Sequence, residues 1–122
     1  MSIRALAPQD VAQALKDREI VLVDVREPPE YAAERIEGAL LFPLSTFDPG
    51  QIPAGRPVIF HCASDIRSKR AALIYEKTGY GKAAHMAGGI QAWRKAGLAT
   101  LFFDPFTGSM LPRERMLRAA SP

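Results

Sequence analysis

The chain has 122 residues, 48% of them apolar, a length that suits one domain with a real hydrophobic core and argues against disorder for most of it. Sixteen basic against thirteen acidic residues leave a net charge of +3, and no block of like charge appears, so neither a nucleic-acid-binding tail nor a polybasic membrane segment is indicated. The single cysteine cannot form an internal disulfide, and no CxxC pair or Cys/His cluster stands at metal-ligand spacing, so no structural metal is expected.

The opening residues, "MSIRALAPQD", lack the apolar run of a signal peptide and the length of a membrane span, so a soluble, cytoplasmic protein is expected. Pro8 then suits the first turn of a helix through "PQDVAQALKD". "IVLVDV" (20–25) is a short, β-branched apolar run that predicts a strand buried on both faces. Helical spacing returns in "PEYAAER" after Pro28, followed by a strand in "ALLF" (39–42) and another in "PVIFH" (57–61). "SKRAALIYEKT", closed by Gly79, predicts a helix from Ser68 to Lys77. A strand in "AAHMA" (83–87) and a helix in "IQAWRKA", closed by Gly97, complete the series. At least four strands alternating with helices predict an α/β domain, a parallel sheet between helical layers.

That layout gives the lone thiol a place. Cys62 follows the third predicted strand, and Ala63 to Arg67 read as a short loop feeding a helix. In open α/β sheets ligands gather beyond the carboxyl ends of strands. A helix N-terminus there offers unpaired N–H groups and a positive dipole end, which bind anions and favour a thiolate. Arg67 would add a fixed charge and a planar pair of donors for an oxyanion. On residue identity alone a single Cys is usually a small buried hydrophobe. Its position makes filler the weaker reading, with sulfur transfer and phosphate-ester cleavage both open.

The stretch "HCASDIRS", with "VLVDVREPPEYAAERIEGAL" upstream and "MAGGIQAW" downstream, resembles a single-domain rhodanese of the sulfurtransferase superfamily over roughly residues 5–100. The resemblance implies a rhodanese-like three-layer domain over 1–100, with a small, mainly parallel central sheet flanked by helices, followed by an extension over 101–122. It implies that Cys62 is the nucleophile and persulfide carrier and Arg67 the loop-closing arginine. Ala63, Ser64, Asp65, Ile66 and Ser68 would bind substrate through the loop, and Asp24 and Arg26 would brace the site. Gly88 and Gly89 match the turn before the last helix, where Trp93 would pack. No cofactor or metal is implied. The expected partners are a small anionic sulfur donor such as thiosulfate and a thiol or cyanide acceptor, with a sulfur-relay protein as another candidate.

Phosphatases and arsenate reductases on the same fold carry one more residue between Cys and Arg. The CxxxxR spacing here gives a smaller ring, better suited to one sulfur atom than to a tetrahedral oxyanion. A noncatalytic binding module is the other alternative, against which Cys62 and Arg67 both argue.

Asp65 stands where active relatives commonly have Gly with positive φ. Asp tolerates the left-handed region, and its carboxylate is expected to turn outward and pair with Lys69 or Arg70, so that Asp65→Gly should raise turnover with thiosulfate. His61 and His85 read as structural histidines, because adjacent strand residues face opposite ways and His85 has no acidic neighbour in sequence. Lys69 and Arg70 could steer anions or simply cover a solvated helix face. In "LFFDPFTGSMLPRERMLRAASP", Phe102, Phe103 and Phe106 are too apolar for a solvated tail, and "PRERMLRAA" suggests a short basic helix. The segment would pack on its own domain, or cross to a second subunit in a homodimer.

Overall fold

The computed structural model describes residues 3–112. In chain order it comprises β1 (Arg4–Leu6), α1 (Pro8–Lys16), β2 (Val21–Asp24), α2 (Pro28–Ala33), β3 (Glu34–Arg35), β4 (Leu40–Leu41), β5 (Val58–His61), α3 (Ile66–Lys77), β6 (Ala83–Met86), α4 (Gly89–Lys95), β7 (Leu101–Phe103) and β8 (Met110–Pro112). Two short 3-10 turns, Leu44–Thr46 and Pro49–Gln51, lie between β4 and β5.

Five strands form a sheet in the order β1-β6-β5-β2-β4. Every pairing in it is parallel. The central strands β2 and β5 are buried at all four positions, as their continuous apolar runs require. Successive side chains alternate between faces. Val21, Val23 and Phe60 pack on one side with Ala71, Ala72 and Tyr75 of α3. Leu22, Ile59 and Met86 pack on the other with Val11 of α1 and with Ile90 and Trp93 of α4. The molecule is therefore the expected three-layer α/β domain.

The chain leaves β2 toward β4 on one side of the sheet and leaves β5 toward β6 on the other. Diverging connections make the carboxyl ends of β2 and β5 a topological switch point, the place where α/β sheets bind ligands. Asp24 ends β2, and Cys62 directly follows β5.

Several elements differ from expectation. The helix after Pro28 stops at Ala33, because Glu34 and Arg35 become extended and pair with β7. That pairing begins a second, antiparallel sheet, β3-β7-β8, which the sequence patterns did not disclose. Buried Glu34 ties it to the main body, accepting hydrogen bonds from Thr100 Oγ1 at 2.7 Å and Arg94 Nε at 3.0 Å. The first part of the C-terminal segment thus forms a hairpin on its own domain. Phe106, expected to need cover, stands 96% exposed at the hairpin tip, where Asp104 accepts its amide. The basic helix expected in "PRERMLRAA" lies, from residue 113 on, outside the described residues. No helix among the described residues is long and apolar enough to cross a membrane.

Candidate active site

Cys62 directly follows β5 at the carboxyl end of the sheet and is 2% exposed. The expected five-residue loop is shorter than predicted, because α3 begins at Ile66 and takes Ile66 and Arg67 into its first turn. Cys62, Ala63, Ser64 and Asp65 alone connect strand to helix. The Ser68 amide donates to Cys62 Sγ at 3.4 Å, and Ser68 Oγ lies 3.5 Å from the same sulfur. One amide therefore reaches the sulfur itself.

The remaining amides are nonetheless arranged for a ligand. The carbonyls of Cys62 and Ala63 accept the amides of Ile90 at 2.9 Å and Gln91 at 3.3 Å, the otherwise unpaired N–H groups at the start of α4. Among the described residues every peptide bond is trans, so the N–H of each such peptide points opposite to its C=O. Anchoring those two carbonyls on α4 turns the amides of Ala63 and Ser64 away from it. Among the described residues no acceptor meets the amides of Ala63, Ser64, Asp65, Ile66 or Arg67. An anion above the thiol would find donors without breaking existing bonds.

Gly89 makes this anchoring possible. A Cβ there would fall 2.3 Å from the Cys62 carbonyl oxygen and 2.6 Å from the Ala63 carbonyl carbon, at a φ of +60°. Only glycine allows α4 to approach the loop backbone so closely.

Asp65 behaves differently from expectation. Its φ is −134°, outside the left-handed region, so the loop needs no glycine at this position. Its carboxylate does not turn to Lys69 or Arg70. Oδ1 accepts the Gly88 amide at 2.9 Å and lies 3.7 Å from His85 Nδ1. The sequence could not show this, because Gly88 and His85 reach the loop only when β6 and α4 pack beside β5 and α3.

Arg67 is held by a residue that sequence reasoning passed over. Its guanidinium donates to both oxygens of Glu30 on α2, at 2.7 and 3.1 Å. Glu30 also accepts the Glu27 amide at 2.9 Å. Arg67 holds the Glu30 carboxyl down to about 2. The only sequence signal for Glu30 was its place just beyond β2, on the side where ligands gather.

Asp24 and Arg26, expected to brace the site, form a buried ion pair with each other. Asp24 Oδ2 accepts from Arg26 Nη2 at 2.8 Å and both its oxygens accept from Arg26 Nε at 3.1 Å. Arg26 Nη2 also donates to the Glu34 carbonyl at 2.6 Å, linking the pair to β3. His61 lies fully buried beside this pair, with Nε2 3.6 Å from Asp24 Oδ2 and no hydrogen-bond partner for that nitrogen. Burial lowers its pKa while Asp24 opposes the shift. His61, read from the sequence as a structural histidine, is thus buried but unsatisfied at Nε2. No cluster of three or more potential metal-ligating side chains occurs among the described residues.

Residues 7–96 match the Rhodanese-like domain family. An uncharacterized protein of Synechocystis sp. is 37% identical over 98 residues, covering 79% of this chain and 55% of its own length. The chain thus spans about half the length of that relative. A protein of Allochromatium vinosum named as a sulfurtransferase is 34% identical over 99 residues, covering 79% of this chain and 92% of its own. The crystal structure of a rhodanese-related protein from Thermoplasma volcanium superposes with a TM-score of 0.71 at 24% identity, covering 80% of this chain and 96% of that one. By its sequence match and its fold, the chain belongs to the Rhodanese-like domain family.

Proposed function

We propose that this protein is a sulfurtransferase that carries sulfane sulfur as a persulfide on Cys62. The observation that supports this most directly is the run of unpaired amides, Ala63 to Arg67, beside a thiol whose sulfur already accepts the Ser68 amide. The Cys62 thiolate attacks the outer sulfur of thiosulfate; a new S–S bond forms, the donor S–S bond breaks, and sulfite leaves with the bonding pair. Cys62 then bears R–S–S⁻, whose terminal sulfur extends toward the free amides. Fixed donors of this kind stabilise localised negative charge without reorganisation when it forms. Cyanide or a thiolate attacks that terminal sulfur next, and the Cys62 thiolate is released.

Arg67 neutralises an arriving anion only in part, because Glu30 shares its charge. Its main contribution is to fix the first turn of α3 against α2, and so the direction of the loop amides. The short cradle suits one sulfur atom better than a phosphate, which places ester cleavage second. The name of the Allochromatium vinosum relative adds support for sulfur transfer.

Incubation with thiosulfate followed by intact-mass measurement tests the reading. A gain of one sulfur atom, removed by a reductant and lost in Cys62→Ser, is expected. No gain in folded wild-type protein, together with hydrolysis of an aryl phosphate through Cys62, would overturn it in favour of a phosphatase.

A further inference from the structure

His85 is buried at 1% exposure, and neither the fold nor the sulfur chemistry above gives it a task. Its Nδ1 lies 3.4 Å from Ser68 Oγ, which in turn lies 3.5 Å from Cys62 Sγ. Asp65 Oδ1 is 3.7 Å from the same nitrogen. A hydroxyl that bridges a thiol and a buried imidazole, itself faced by a carboxylate, is the arrangement needed to move one proton.

We propose that Ser68 and His85 form a proton path that takes the thiol proton of Cys62 to a buried imidazole, with Asp65 holding that imidazole as a positioning residue. The inference rests on the sulfurtransferase reading, because it assigns the step that makes the attacking thiolate. In the thiol state Cys62 S–H donates to Ser68 Oγ, and the Ser68 hydroxyl donates to the Asp65 carbonyl at 3.0 Å. The hydroxyl then rotates toward His85. It gives its own proton to Nδ1 as it takes the one from sulfur, so one S–H bond breaks, one N–H bond forms, and Ser68 is unchanged. The thiolate then accepts from both the amide and the hydroxyl of Ser68, while imidazolium Nδ1–H faces Ser68 Oγ and Asp65.

The surroundings of His85 suit a transient acceptor. β1 and β5 place Ala5 and Phe60 in register beside it. Lys69 on α3 disfavours the charged ring and Asp65 favours it, with burial the larger influence, so the pKa lies below its ordinary value. The ring is therefore neutral and able to accept at neutral pH. Near Cys62 the facing charge is Arg67, itself paired with Glu30.

One cysteine and two histidines make the test unambiguous. Thiolate absorbance is followed against pH in wild type, Ser68→Ala and His85→Asn, and the imidazole resonances of His85 are titrated by NMR in wild type and Cys62→Ser. His85→Asn and Ser68→Ala are each expected to reduce the thiolate fraction at neutral pH by about tenfold, the effect of one pK unit of coupling. A neighbouring thiolate should hold His85 as imidazolium to higher pH in wild type than in Cys62→Ser, so the His85 titration should be shifted upward in wild type and the shift lost in the variant. Thiolate curves that coincide in folded variants overturn the path. Should His85→Asn fail to fold, identical His85 titrations in wild type and Cys62→Ser overturn it equally. Sulfur uptake by wild type, measured in parallel, separates the two ideas: coincident curves with sulfur gained remove only the path, and absent uptake removes the sulfurtransferase reading.

Discussion

The two histidines are both buried in neighbouring strands of one sheet, yet they inhabit opposite kinds of polar surroundings. His61 precedes Cys62 in sequence, but its ring lies beside the Asp24–Arg26 pair, and its Nδ1 meets only the Cys62 carbonyl at 3.4 Å. His85 stands far along the chain, but it connects to Cys62 Sγ through one hydroxyl. Adjacency along a strand separates side chains, whereas adjacency across strands joins them.

The two networks also differ in tightness. Asp24 and Arg26 are locked by hydrogen bonds of 2.8 to 3.1 Å, a geometry that fixes charge in place. The Cys62–Ser68–His85 contacts of 3.4 to 3.5 Å are longer, with a hydroxyl free to choose among three acceptors. One network is a clamp and the other is poised to rearrange.

The comparison breaks most severely at the clamp. Asp24→Ala would leave the Arg26 guanidinium buried without its carboxylate, and is expected to cost about 3–5 kcal/mol of stability, measured by urea unfolding. A loss below about 1 kcal/mol would mean that water reaches Arg26 freely, removing the distinction between the networks.

Gly89→Ala comes next. Its Cβ would collide with the Cys62–Ala63 peptide, so a cost of about 1–3 kcal/mol in thermal unfolding is expected, together with loss of sulfur uptake by intact mass. Unimpaired uptake would show that the loop carbonyls need no anchor on α4.

Asp65→Gly sharpens the second network. With the carboxylate engaged by the Gly88 amide and facing His85, the variant is expected to lower thiosulfate turnover several-fold, the reverse of the rise anticipated from sequence. Steady-state assays decide the sign, and Asp65→Asn, which can still accept from Gly88, isolates the part due to charge.

The smallest effect belongs to Glu30→Gln at the rim. The Glu30–Arg67 pair is about a third exposed on each side, so solvent screening limits its worth at neutral pH to less than about 1 kcal/mol. Glu30 is lowered from 4.5 to about 2 on folding, so its contribution is complete above the unfolded value and lost as pH falls through the folded one. The stability difference between wild type and variant should therefore close as pH falls from about 4.5 to about 2, followed by denaturant titration at several pH values.

Short-range pattern determined much of this molecule. The apolar runs of β2, β5 and β6, the proline that opens α1, and the place of Cys62 after a buried strand were all readable, because strand and helix periodicity are local properties. The two-residue β3 and the β7–β8 hairpin were not, since so few residues carry no periodicity and their pairing depends on a distant partner.

The same division runs through the site. The place of Cys62 after a buried strand and the resemblance to a family drew attention to Cys62, Arg67, Asp24 and Arg26. Only the tertiary structure decided that Arg67 binds Glu30, that Asp65 accepts from Gly88, and that His85, not His61, lies in reach of the sulfur through Ser68. Hydrogen bonds and ion pairs act over a few ångströms of space, and the separation of two residues along a folded chain says little about that distance.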